Sequence, residues 1–294
     1  MDDMKHITPL HKKSGFTRAF LRFKKNTLSK LGLYMAVGVI LTGIFAPFIA
    51  PYPQDGGYVT YFHKSLQPPS WKHPFGTDSI GRDVFSRIIL GTRISLMIGA
   101  VVLSLAVLVG VPLGLFAGYF RGVVEIIIMR IADIFLSIPA LVLAMAVSAL
   151  FKPNLYVCIG AIAFRWWAWY CRLAYGETLS IKQEDYIEAA RSYGCSPIYM
   201  MAGEILPNMS STIIVKISLD IGYAILTGAT LGFLGLGAQP PTPEWGNMAA
   251  EGRHDLPFAW WTTTFSGLAL LLTVLAFNLL GDGLRDYFDV SLEE

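Results

Sequence analysis

The chain has 294 residues, 54% of them hydrophobic and 15% charged, which is more apolar surface than a soluble core of this length can hide. That composition excludes an ordinary soluble enzyme and implies an integral membrane protein whose surroundings are lipid. The net charge of +2 is too close to neutral to mark a nucleic-acid partner, and none is expected.

Residues 1–30 form a basic N-terminal segment. Within it, Phe16, Phe20 and Phe23 fall at helical spacing among Lys and Arg, a pattern that fits a short interfacial helix or simple anchoring by positive charge. A membrane span needs roughly 20 apolar residues, and the first such stretch covers 31–50. It has full span length and no Ala-x-Ala site behind it, so it reads as a retained anchor rather than a signal peptide. Five more stretches follow, about Ile94 to Phe120, Ile126 to Phe151, Leu155 to Tyr175, Ser211 to Gly237 and Ala259 to Leu280. The expectation is an all-α protein of six transmembrane helices. It would have a loop at 51–93, a core of five spans at 94–282 and a tail at 283–294.

An even number of spans puts both termini on one side. Lys and Arg number 13 in the segments that would flank the membrane on the N-terminal side and 7 on the other, so the termini are expected in the cytoplasm. Eight of the 13 lie in the N-terminal segment, so the bias bears mainly on the first span. Cys158, Cys171 and Cys195 have no CxxC or Cys/His spacing and read as free thiols, with neither disulfide nor metal.

The loop at 51–93 ends in HPFGTDSIGRDVFSRIILGTRISL. Here Gly76, Thr77 and Asp78, then Gly81, Arg82 and Asp83, place acids beside turn-forming glycines. His73 with two nearby acids raises the question of a metal, but the spacing favours a capped, folded loop. In the second span Gly110, Gly114 and Gly118 form a doubled GxxxG that lets another backbone come close, and Pro112 among them can bend the helix. Gly228, Gly232, Gly235 and Gly237 repeat the device in the fifth span.

Ionisable groups at membrane depth are costly and need partners. Arg130 and Asp133, three residues apart, are expected to pair on one helix face. Lys216 and Asp220, four apart in the fifth span, either neutralise one another or leave Asp220 to attract a cationic group of a substrate. In the fourth span, Trp166 and Trp169 belong to an aromatic cluster beginning at Arg165 that could line a cavity.

On the inner side, the longest polar interruption after the N-terminal segment runs from Ser180 to Pro207, within a loop at 176–210. Ser180 and Gln183 suggest a capping box opening a helix over 181–193, Gly194 a left-handed stop, and Ser196 with Pro197 the cap and first turn of a second short helix running to Leu206. The result would be a bent knob that presents Ala189 and Ala190 between Glu188 and Arg191.

The stretch EAARSYG with Leu206 and Pro207 at its far end resembles the coupling loop of bacterial ABC importer permeases. HPFGTDSIGRDVFSRIILGTRISL, ATLGFLGLG, PTPEWG and NLLGDGLRDYFD narrow the likeness to the peptide and nickel branch. It covers about 30–289, and Glu204 departs from it where the general loop pattern often has an apolar residue. The resemblance implies a type I importer permease in the bacterial inner membrane. Its partners would be a second homologous permease, two ATPase subunits and an external substrate-binding protein, with Glu188, Ala189, Ala190, Arg191, Gly194, Leu206 and Pro207 at the ATPase contact. It implies short peptides as cargo, with nickel or a metal chelate as the alternative. The sequence has no GxxxxGK[ST] phosphate loop, HExxH or GxSxG, so no enzymatic activity and no cofactor are expected in this chain, ATP and magnesium belonging to the ATPases. An ion-gradient-driven secondary transporter is the competing class, and no internal repeat speaks for it.

Overall fold

The computed structural model describes residues 26–292, with side chains placed to 288, so Phe16, Phe20 and Phe23 of the expected interfacial helix lie outside the described residues. Helix α1 spans Thr27–Ile49, capped by Asn26, whose side chain accepts from the amides of Leu28 and Ser29. Helix α2, Val84–Phe120, is 37 residues long and passes through Pro112 without interruption. It starts ten residues before the expected span because Asp83 is its cap, accepting from the Ser86 amide at 2.8 Å. The third expected span is two helices, α3 at Gly122–Ser137 and α4 at Ala140–Ala149, bent by 89° at the join. Pro139 explains the bend, since it lacks an amide and drives Ile138 out of the helical region.

Helix α5, Leu155–Ile181, is capped by Asn154. It overruns the expected cap at Ser180, which lies in its last turn. The short α6 begins only at Asp185, behind Glu184, which makes no side-chain cap bond. Gly194 then takes φ +79°, and Ser196 caps α7, accepting from the Tyr199 amide. This helix does not end at Leu206 but runs on as Pro197–Phe233. A wide π turn over Met200–Ile205 makes room for Pro207, whose ring would otherwise strike the preceding turn. Helices α8, Trp245–Gly252, and α9, Trp261–Leu292, complete the chain, α9 running through the expected tail.

Helices α1, α2, α7 and α9 are each long and apolar enough to cross a membrane, and the bent α3–α4 pair makes a fifth. Helix α5 carries Arg165, Arg172 and Glu177 and lies at the centre. Each glycine of the doubled GxxxG meets it: Gly110 at Trp167 and Tyr170, Gly114 at Cys171 and Ala174, Gly118 at Thr178. The contacts advance together along both chains, so α2 and α5 are parallel. On the other side of α2, Gly99 meets Ile225 and Gly228 meets Ile98, so α7 is antiparallel to it. The apolar stretch of α1 is 22% buried against 44% for α2 and α7, which makes α1 peripheral. It packs through Gly32 on Leu279 and Leu280 of α9. Asn26 donates to Asp286 and Lys182 to the Tyr119 carbonyl, which sets the start of α1, the end of α9 and the α6 region at one end of the bundle. The loops 50–83 and 234–260 close the other.

At that second end the PTPEWG segment turns inward. Glu244 is 1% exposed and caps α8 by accepting from the amides of Gly246 and Asn247, both at 2.9 Å. Trp245 is buried and donates through Nε1 to the Ile88 carbonyl of α2 at 3.0 Å. Burial pushes the Glu244 carboxyl up to about 7 from its ordinary 4.5, against the pull of those two amides.

Two outcomes follow from this packing. A Cβ at Gly114 would sit 2.1 Å from the Cys171 carbonyl oxygen, whereas one at Gly160 meets nothing within 4 Å. Gly114→Ala is therefore expected to cost about 1–3 kcal/mol in a thermal melt of the detergent-solubilised chain, and Gly160→Ala to cost nothing. For Glu244, the fold keeps a proton that the unfolded chain releases, so its stabilisation is complete below pH 4.5 and lost as pH rises through about 7. Tm should decline across that window, and Glu244→Gln should remove that part of the decline.

Candidate functional site

The knob has a fixed underside and an open top. Ile187 of α6 is fully buried and joins Met200, Met201, Ile205 and Met209 in the same apolar cluster that holds Tyr170 and Val111. The cluster ties the knob to the bundle core. On the opposite face Glu188, Ala189, Arg191 and Gly194 are exposed, as are Leu206 and Pro207, while Ala190 is half-buried. Tyr193 and Ile198 are 89% and 74% exposed. Large apolar side chains in water beside two small alanines make a surface suited to a partner protein. Glu204, half-buried on the π turn, interacts with the Tyr199 hydroxyl, so the position that departs from the loop pattern faces its own helix.

The four candidate pathway residues converge on the contact between α5 and α7. Lys216 pairs with Asp220 at 2.7 Å and lies 5.6 Å from the centre of the Trp169 ring, a cation–π arrangement. Trp166 and Tyr223 approach with ring centres 5.4 Å apart. Asp220 is 8% exposed and Tyr170 fully buried, and the Tyr170 hydroxyl faces the Asp220 carboxylate. The seam is aromatic and gathers one internal ion pair and a buried hydroxyl around Asp220. The other expected intramembrane pair is replaced: Asp133 of α3 bonds Arg172 of α5 instead of Arg130. Residues three apart on a helix are neighbours, but a guanidinium from the packed α5 gives Asp133 a partner that also joins two helices.

At the far end the glycine–acid motifs build a buried charge lattice. Gly76 and Gly81 have φ +73° and +87°. Asp78 accepts from Arg82 Nε at 2.7 Å and faces Arg87 at 3.4 Å, and both arginines reach Glu251 of α8 at 3.2 Å. Burial raises the Glu251 carboxyl, with Arg82 opposing. Asp83 accepts from the Ser86 amide and hydroxyl, meets His73 Nδ1 at 2.9 Å, and its own amide donates to Asp55 at 2.7 Å. The Thr77 carbonyl accepts from Trp261 of α9. Among the described residues no group of three His, Cys, Asp or Glu side chains could hold a metal. The motif stitches the loop to the starts of α2 and α9 and to the end of α8.

The sequence reading had Tyr170 in the aromatic cluster that begins at Arg165, but did not single out Tyr223, Glu244 or Glu251. Tyr223 stands three residues from Asp220, and helical spacing alone would have added it to the seam. Glu251 belongs to the lattice through a contact 169 residues away in sequence, for which no local pattern exists.

Residues 110–294 match the family described as binding-protein-dependent transport system inner membrane component, and residues 14–69 match the N-terminal TM domain of oligopeptide transport permease C. The chain is 44% identical to "Probable D,D-dipeptide transport system permease protein DdpC" of Escherichia coli K12, covering 90% of this chain and 88% of that protein. It is 41% identical to the dipeptide transport system permease protein DppC of Alkalihalophilus pseudofirmus, over 95% of this chain and 91% of the other. Identity to the glutathione transport system permease protein GsiD of Pectobacterium atrosepticum is 43%, over the same shares. The solved structure of the MetNI methionine ABC transporter in inward-facing form has the same fold, with TM-score 0.58 and 18% identity over 70% of this chain and 97% of the solved one. With its helical bundle, its knob and more than half its length matching one family, this chain belongs to the binding-protein-dependent transport system inner membrane components, the permeases of ABC importers.

Proposed function

We propose that the chain forms half of the translocation pathway of an ATP-driven importer of short peptides. The observation that carries this reading is the likeness, over nine-tenths of the chain or more, to permeases named for dipeptides and glutathione. Those names favour peptides over nickel or a metal chelate. Six spans cross the bacterial inner membrane, α5 and the α3–α4 pair included, with both termini and the knob in the cytoplasm. A second homologous permease, two ATPases and an external binding protein complete the assembly, and the ATPases bind the nucleotide and magnesium.

In this reading the work of ATP enters through the knob. Glu188, Ala189, Ala190, Arg191 and Gly194 contact an ATPase, and Leu206 and Pro207 stand where the knob passes into α7. Because α7 is one helix from Pro197 to Phe233, a push on the knob turns the stretch that bears Lys216, Asp220 and Tyr223 against Trp166 and Trp169 of α5. Lys216 already occupies one oxygen of Asp220, which favours a positioning role for that acid over direct attraction of a cationic cargo.

Proteoliposomes containing the complete transporter and its binding protein should take up radiolabelled dialanine only with ATP inside, and inactivation of the partner ATPases should abolish uptake. Uptake that continues without them and follows an ion gradient would identify a secondary transporter instead. Gly194→Val, which forces a branched side chain into φ +79°, should lower uptake at least fivefold while ATP hydrolysis persists.

A further inference from the structure

The break between α3 and α4 leaves backbone groups without helical partners at membrane depth: carbonyls at the end of α3 and amides at the start of α4. Pro139, the residue before α4, offers no side-chain cap, and α4 is ten residues long. One freed carbonyl, that of Ile138, accepts from Nε of Arg165 on α5 at 3.2 Å. Arg165 is 9% exposed and lies ten residues into α5, about 15 Å from its outer end.

A guanidinium has five N–H donors and keeps its charge at any working pH. Among the described residues Arg165 uses only Nε. Asp133 of α3 and Asp220 of α7 are committed elsewhere, to Arg172 and to Lys216, and no carboxylate pairs with Arg165 among the described residues. The stem is thus tied to the break while the terminal fork has no counter-ion. Tyr223 of α7 lies within electrostatic reach of Arg165 and is half exposed. Two independent features therefore favour an anion here. One is a buried cation without a negative partner, and the other is the positive end of a half-helix. Its planar fork fits a carboxylate in two parallel hydrogen bonds, a match that a spherical anion lacks.

We propose that Arg165 and the N-terminus of α4 form an intramembrane carboxylate site, which receives the C-terminal carboxylate of a peptide in transit. The identity of the ligand rests on the peptide-importer reading above. The site gives the break in the third span a purpose, since a continuous helix would present neither a free helix start nor a carbonyl to hold the guanidinium.

The test compares dialanine with dialanine amide, which lacks the carboxylate, both at saturating concentration in proteoliposomes with the complete transporter. Wild type should move the acid at least tenfold faster than the amide. Arg165→Gln should bring that ratio to within twofold of unity, and Arg165→Lys, with its charge but without the fork, should give an intermediate ratio. A purely structural role for Arg165 slows both cargoes alike, so an unchanged ratio in the variants overturns the site. A wild-type ratio near unity does so too. If the Gln chain does not assemble, the Lys chain decides by the same ratio. A wild-type transporter that moves no dialanine overturns the peptide reading and, with it, the site as a peptide site, whereas peptide uptake with a ratio indifferent to Arg165 overturns the site alone.

Discussion

Three glycines on one face of α2 allow the backbone of α5 to lie directly against it, and the other polar features of the bundle are arranged around that contact. Helix α5 carries two arginines, a glutamate and six aromatic rings with polar atoms, a sequence poorly suited to face lipid. Set against α2, with α7, α3 and α4 on its remaining sides, it exchanges lipid for protein partners. Several of its polar groups are then met locally: Arg172 by Asp133, the Nε of Arg165 by the Ile138 carbonyl, and the hydroxyl of Tyr175 by Glu125. Without the glycines the helices would stand apart, and these short bonds could not form.

The second organising element is α7. Its π turn and the buried methionines under α6 join a water-facing knob to the middle of the bundle without a flexible link. The Tyr170 hydroxyl and the Asp220 carboxylate face one another across the seam that α7 makes with α5, so α7 is held there by polar contact as well as by packing.

Much of this was readable from the residues alone. Gly194 as a left-handed stop, Ser196 and Pro197 as a helix start, the doubled GxxxG as a packing face and Lys216 with Asp220 as a pair all depend on interactions within a few residues, where spacing determines geometry. The start of α2 at Asp83 was misplaced because hydropathy marks where lipid begins and not where a helix does. Ser180 failed as a cap because α5 was already helical there, held by its packing on Gly118. Pro139 was overlooked inside an otherwise unbroken apolar run, although its missing amide was the strongest local signal in the segment. The choice of Arg172 over Arg130 by Asp133 belongs to the tertiary packing, which no local pattern encodes.

The length of α2 has a further consequence. At 37 residues it measures about 55 Å, whereas the hydrocarbon layer is about 30 Å thick. The surplus includes Arg87 and Arg93, so in the topology proposed above the lattice of Asp78, Arg82, Arg87 and Glu251 stands clear of the acyl chains as a raised collar. A solute delivered to this collar begins its passage above the lipid headgroups, and it can remain hydrated until it enters the ring of helix ends.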